Sequence, residues 1–134
     1  ARKLAEMGAE IRVHDPYVDH WYELESQDTY PAPGHSWARF FRNQEHLTNT
    51  VVQKDVSKAV VGAEALILAV PHEPYLTLDP DDVVAWAGEP LAVIDCFGIL
   101  SDENIRRYFE LGCEVKALGR GHIQRIKKEV KGTR

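Results

Sequence analysis

Ala65-Leu-Ile-Leu-Ala-Val70 and Leu91-Ala-Val-Ile-Asp95 decide the fold. Both are apolar almost throughout, short for helices, and free of the alternation that marks a half-solvated strand. Runs of this kind are strands of a parallel sheet, buried on both faces. Between them, Asp79 to Ala87 reads as a helix, with Pro80 placed for the first turn.

The same alternation continues in both directions. Downstream, Ser101 to Leu111 is a helix whose start resembles a capping box, Ser101 and Asn104 standing in for the ideal pair. Gly112 stops it, and Glu114-Val-Lys-Ala-Leu118 is the last strand. Upstream, Asp55 caps a short helix to Gly62, and Thr50-Val-Val-Gln53 is a short strand. Glu10-Ile-Arg-Val-His14 alternates and is halted by Asp15-Pro16. Ala1 to Gly8 holds helix formers throughout, with Gly8 where a C-cap belongs. Strands alternating with helices predict an α/β fold, Rossmann-like, three-layered α/β/α, with a mostly parallel sheet. The opening helix lacks both an initiating Met and a capping residue, and it calls for a strand ahead of it. The expectation is a sheet lacking its first strand, in a piece of a longer protein.

A chain of 134 residues fits a single domain over 1–134. Two stretches stand apart from the periodic pattern. Residues 18–50 hold Pro31, Pro33, Gly34 and several aromatics without a clean period, and read as an irregular insertion. Residues 120–134 hold six basic residues and one acid, and read as a solvated basic helix or tail.

The net charge of −5 is carried by the body, where ten basic residues face twenty acidic ones. That balance argues against nucleic acid as a partner. No apolar run approaches the roughly 20 residues of a membrane helix. The expected setting is therefore away from the membrane, in the cytoplasm. Cys96 and Cys113 sit in apolar stretches and read as small core hydrophobes, a disulfide between them being the alternative.

Ligands of open α/β sheets bind beyond the carboxyl ends of the strands. Those ends give Asp15-Pro16-Tyr17, Pro71-His72, Asp95-Cys96-Phe97-Gly98 and Gly119-Arg120-Gly121-His122. Each also has a structural reading. Asp15 fits a turn, His72 a cap on a neighbouring backbone group, and Asp95 an acceptor for backbone N–H groups. The glycines around Arg120 fit a tight turn, while Arg120 itself suits a phosphate, because guanidinium and phosphate match in bidentate fashion. His14, Asp15, Asp19 and His20 cluster in sequence, with His35 and His46 further on, but without His-x-x-x-His or Cys-x-x-Cys spacing. No metal site is expected. No nucleophile elbow and no activated thiol is present either, so no residue of this chain is assigned to catalysis.

In order along the chain, four segments resemble one family. Ala1 to Tyr17 resembles the helix, strand and Asp-Pro-Tyr turn that open the UDP-binding, carboxy-terminal domain of the UDP-glucose/GDP-mannose (nucleotide-sugar) dehydrogenases. Gly62 to His72 is similar to that family's strand ending in a histidine. Asp95-Cys-Phe-Gly-Ile-Leu100 stands where the family has Asp-x-Arg-x-x-Leu, and Gly112 to Gly119 resembles its closing segment. The flavour is closest to the branch acting on UDP-N-acetyl-hexosamines.

The resemblance implies a domain that holds a UDP-sugar, with Asp95, Phe97, Gly98, His72 and Arg120 as substrate-binding candidates. It implies that the whole enzyme, serving polysaccharide biosynthesis, oxidises a sugar alcohol to a uronic acid with two NAD molecules. That NAD, the catalytic cysteine and the helix forming a homo-oligomer belong to other domains of the parent chain, so this piece alone is inactive. Two departures stand out. Phe97 replaces the family's arginine, where an aromatic ring could stack on a base, fill a pocket or pack in the core. The strand expected ahead of the first helix is also missing.

Two other readings compete. As an NAD-binding Rossmann fragment of another dehydrogenase, the chain would use Asp15 on the adenosine ribose. As a non-catalytic module, it would serve contacts with other domains or subunits.

Overall fold

The structure, a computed structural model, describes residues 2–17, 52–119 and 121–133. The insertion read over 18–50 and the candidate Arg120 lie outside the described residues. The architecture is α/β and Rossmann-like, with parallel strands in two sheets. The chain divides into two compact units, Ala1–Ala59 and Val60–Arg134.

The first unit opens with α1 (Arg2–Glu6), closed by Gly8 in the left-handed region at φ +93°. Two strands of two residues each, β1 (Val13–His14) and β2 (Val52–Gln53), pair in parallel, with Val13 opposite Val52. The strand expected over 10–14 is thus confined to its last two residues. Among the described residues of this unit, Ala5 is buried, with Ile11 and Val13 packed against it, and Val52 is buried as well. The helix α2 (Val56–Val60) follows, and Asp55 caps it as expected, its Oδ1 accepting from the Ser57 amide at 3.0 Å and the Ser57 hydroxyl at 2.6 Å. That hydroxyl holds the Asp55 carboxyl below the usual carboxylate range.

The second unit carries a three-stranded parallel sheet of β3 (Ala65–Leu68), β4 (Ala92–Asp95) and β5 (Glu114–Ala117), with β4 in the middle. In register, Leu68 lies opposite Asp95 and Asp95 opposite Ala117, so the three strands end together. Leu68, Val93, Asp95 and Val115 share the covered face by strand period and register, and all four are buried. Burying a side chain such as Val93 contributes about 1.5–3 kcal/mol.

The other face departs from expectation. Ala65 and Ile67 are exposed, Ile67 at 41%, as are Glu114 and Lys116. Among the described residues β3 pairs with β4 alone and forms an edge of its sheet. Among the described residues, β3 is therefore buried on one face, where two were expected.

Four helices accompany this sheet. The short α3 (Glu73–Leu76) carries Pro74 in its first turn and has no counterpart in the sequence reading. Asp79 caps α4 (Pro80–Ala87), accepting from the Asp81 amide at 2.8 Å, and Gly88 ends it at φ +90°. Ser101 caps α5 (Asp102–Glu110), its hydroxyl accepting from the Asn104 amide at 3.1 Å. The basic segment folds as α6 (Ile123–Thr133), whose Ile123, Ile126 and Val130 are buried at helical spacing.

Ile105, Tyr108 and Phe109 form the buried stripe of α5, which packs against α4, β5 and α6. Burial pushes the Tyr108 hydroxyl and the Cys113 thiol above their ordinary values. Ion pairs stitch the surface: Arg107 to Asp81 at 2.5 Å, Arg106 to Glu129 at 2.6 Å, and Lys127 to Glu114 at 2.5 Å. The first two pairs are solvent-exposed and Lys127 is half-buried, and such pairs orient the elements they join more than they stabilise them.

Candidate functional site

The carboxyl ends of β3, β4 and β5 define one edge of the second unit, and the loop after β4 is its most specified part. Asp95 is fully buried at 0% exposure. A carboxylate in an apolar layer needs hydrogen bonds to remain there. Its Oδ1 accepts from the Phe97 amide at 3.1 Å and its Oδ2 from the Leu100 amide at 3.0 Å. The neighbouring Cys96 amide donates across to the Leu68 carbonyl at 3.0 Å. Gly98 completes the turn at φ +67°, a backbone conformation that glycine adopts without a Cβ penalty. Asp95 thus organises the loop rather than projecting from it, while Phe97 is 58% exposed.

His72 lies past the end of β3, at the N-cap of α3. Its carbonyl accepts from the Tyr75 amide at 3.0 Å, but its side chain makes no capping bond. The imidazole instead lies beside the buried Tyr75 ring, with centroids 5.8 Å apart.

A third element of this edge pairs His122, named among the strand ends, with a residue the sequence did not single out. His122 Nε2 and Asp102 Oδ1 lie 2.8 Å apart, joining the first turn of α5 to the residue ahead of α6. The His122 carbonyl accepts from the Arg125 and Ile126 amides, at 3.0 and 3.1 Å. Both helices therefore begin at the carboxyl edge. Nothing in the local sequence pairs two residues twenty positions apart.

Asp15 belongs to the first unit. Its Oδ1 accepts from the Tyr17 amide at 2.8 Å, closing a turn over Pro16, and Lys54 Nζ donates to its carbonyl at 3.2 Å. This matches the turn-forming reading. The chain's glycines nowhere spell the Gly-x-Gly-x-x-Gly of a dinucleotide site, since Gly119 and Gly121 are followed by Gln124.

Among the described residues, no three His, Cys, Asp or Glu side chains converge as a metal site would require. Asp19, His20, His35 and His46 lie outside the described residues. Cys96, half-buried, and Cys113, buried, are both free thiols. No described helix is long and apolar enough to cross a membrane.

The family model for the UDP-glucose/GDP-mannose dehydrogenase family, UDP binding domain, matches residues 1–102. The match spans both units and the loop Asp95–Leu100 and stops at the start of α5, so the similarity noted over Gly112–Gly119 lies past it. No curated protein and no solved structure matches the chain significantly.

Proposed function

The chain belongs to the UDP-glucose/GDP-mannose dehydrogenase family through its UDP binding domain, and from that premise we infer that it binds a UDP-sugar at the carboxyl edge of β3–β4–β5. The observation that carries this reading is the loop after β4. It lies inside the matched residues, and a fully buried carboxylate fixes its backbone at two amides. A loop held in this way presents its outward groups with little freedom left to lose on binding.

The roles follow from the chemistry of each residue. Asp95 holds the loop, Gly98 lets a ligand approach the backbone, and Phe97 offers an uncharged surface. His72 offers a ring nitrogen at the end of the neighbouring strand. Arg120, two residues after Leu118, brings the charge that a diphosphate needs. The whole protein is assigned the oxidation of the sugar alcohol to a uronic acid with NAD, in the cytoplasm and as a homo-oligomer. No step of that oxidation is assigned to these residues, and the nucleotide-sugar branch, N-acetyl-hexosamine included, is part of the proposal.

Calorimetric titration with UDP, and separately with NAD, tests the reading. The expected result is saturable heat with UDP and none arising from this domain with NAD. NAD binding that is lost in Asp15→Ala, with no response to UDP, would overturn it in favour of a dinucleotide site. A role in contacts with other domains is compatible with UDP binding and is favoured by one observation, the outward-facing Ile67 on β3.

A further inference from the structure

The nucleotide-sugar reading does not say which part of the ligand meets Phe97, and the local geometry narrows the choice. Resting on that reading, we propose that Phe97 is a stacking platform for an uncharged ring of the bound nucleotide sugar.

Of the roles open to an aromatic side chain here, core packing is removed by its 58% exposure. The ring is nevertheless not loosely attached. Its own amide is bound to the buried Asp95 carboxylate, the Leu100 amide three residues on is bound to the same group, and Gly98 between them is locked at φ +67°. A large apolar side chain on a fixed loop is held in water by its backbone. Such a ring is pre-organised for a partner, and covering it recovers the hydrophobic cost of its exposure.

The position of the ring and its chemistry select the partner. Phe97 follows β4 directly, at the edge where the three strands end together and within the residues that match the UDP binding domain. The same edge carries a second exposed apolar residue, Leu118 at 77%, one position beyond β5. A phenyl ring has no hydrogen-bond donor, and its face is electron-rich, so a phosphate gains nothing there. A nucleobase or the C–H face of a hexose fits, since both present a flat, uncharged surface. The loop after β4 therefore reads a ring of the ligand, and the diphosphate is left to other groups.

The test is a set of titrations of the full-length protein, as wild type, Phe97→Ala and Phe97→Trp, with UDP, UDP-glucose and pyrophosphate. Losing one stacked ring weakens binding by about tenfold. Phe97→Ala is expected to show that loss with UDP if the base sits on the ring, or with UDP-glucose alone if the hexose does. Pyrophosphate affinity stays unchanged, and Phe97→Trp restores the lost affinity. Equal affinities for Phe97→Ala and wild type toward UDP and UDP-glucose would overturn the proposal, and so would a matching loss toward pyrophosphate. A wild-type protein that binds neither UDP nor UDP-glucose would overturn the nucleotide-sugar reading itself, and the proposal with it.

Discussion

The two units of this chain are built from the same parts, a parallel strand pair with helices, yet their order differs. In Val60–Arg134 the strands are four residues long and share a covered face on which Leu68, Val93 and Val115 are buried. In Ala1–Ala59 the strands are two residues long, and both residues of β1 are only half-buried. The sequences explain the contrast. Ala65-Leu-Ile-Leu and Ala92-Val-Ile offer an apolar residue at every position, whereas Glu10-Ile-Arg-Val-His14 alternates and leaves charged side chains on one side. Among the described residues, the strands of the second unit therefore bury more apolar side chains than those of the first.

The largest effect that would break this contrast is a truncation in each unit. Ile105, fully buried on α5, is expected to cost about 2–5 kcal/mol on substitution by alanine. Val13→Ala, at a half-buried position, is expected to cost well under half as much. Urea unfolding of the two variants decides the matter: equal losses would mean that the first unit is as well ordered energetically as the second.

An intermediate effect sharpens the comparison inside the second unit. Asp95→Ala removes the acceptor of two loop amides, and leaving buried donors unsatisfied costs about 1–3 kcal/mol. Hydrogen exchange should show the Phe97 and Leu100 amides losing protection first. If their exchange is unaltered, the buried carboxylate does not hold the loop.

The smallest effect is in pH. Burial raises the folded-state values of Tyr108 and Cys113, so the unfolded chain releases these protons first. Their contribution is fully present below the ordinary thiol and phenol range and is lost as pH rises through about 9 to 10 and above. Thermal midpoints should fall in that window, and Tyr108→Phe should flatten the fall.

What the sequence made legible was local. The caps Asp55 and Ser101 and the stop at Gly112 depend on contacts within one turn, and each lies where its residue type predicts, whereas Asp79, read as the first residue of its helix, is its cap. Features that depend on distant neighbours were harder to read. The covering of β3 on one face reflects which layers meet it, which no apolar run encodes. The basic composition of 120–134 obscured the stripe Ile123, Ile126 and Val130, so the segment was read as a solvated helix or tail and its packing was missed. The four-residue α3 is too short to show a period. At the site, Asp95 was legible as a strand-end acid with two possible roles, and only its burial distinguishes them. The His122–Asp102 pair was not legible, because topology alone brings those positions together.

We propose that a UDP-sugar sits on the carboxyl edge of β3–β4–β5. Hydrogen exchange of the full-length protein with and without UDP tests it directly. Added protection is expected at His72 and at residues 96–101 and 118–122, with the loop after β4 responding most. Protection confined to residues 13–17, or no change at the loop after β4 at saturating UDP, would contradict it.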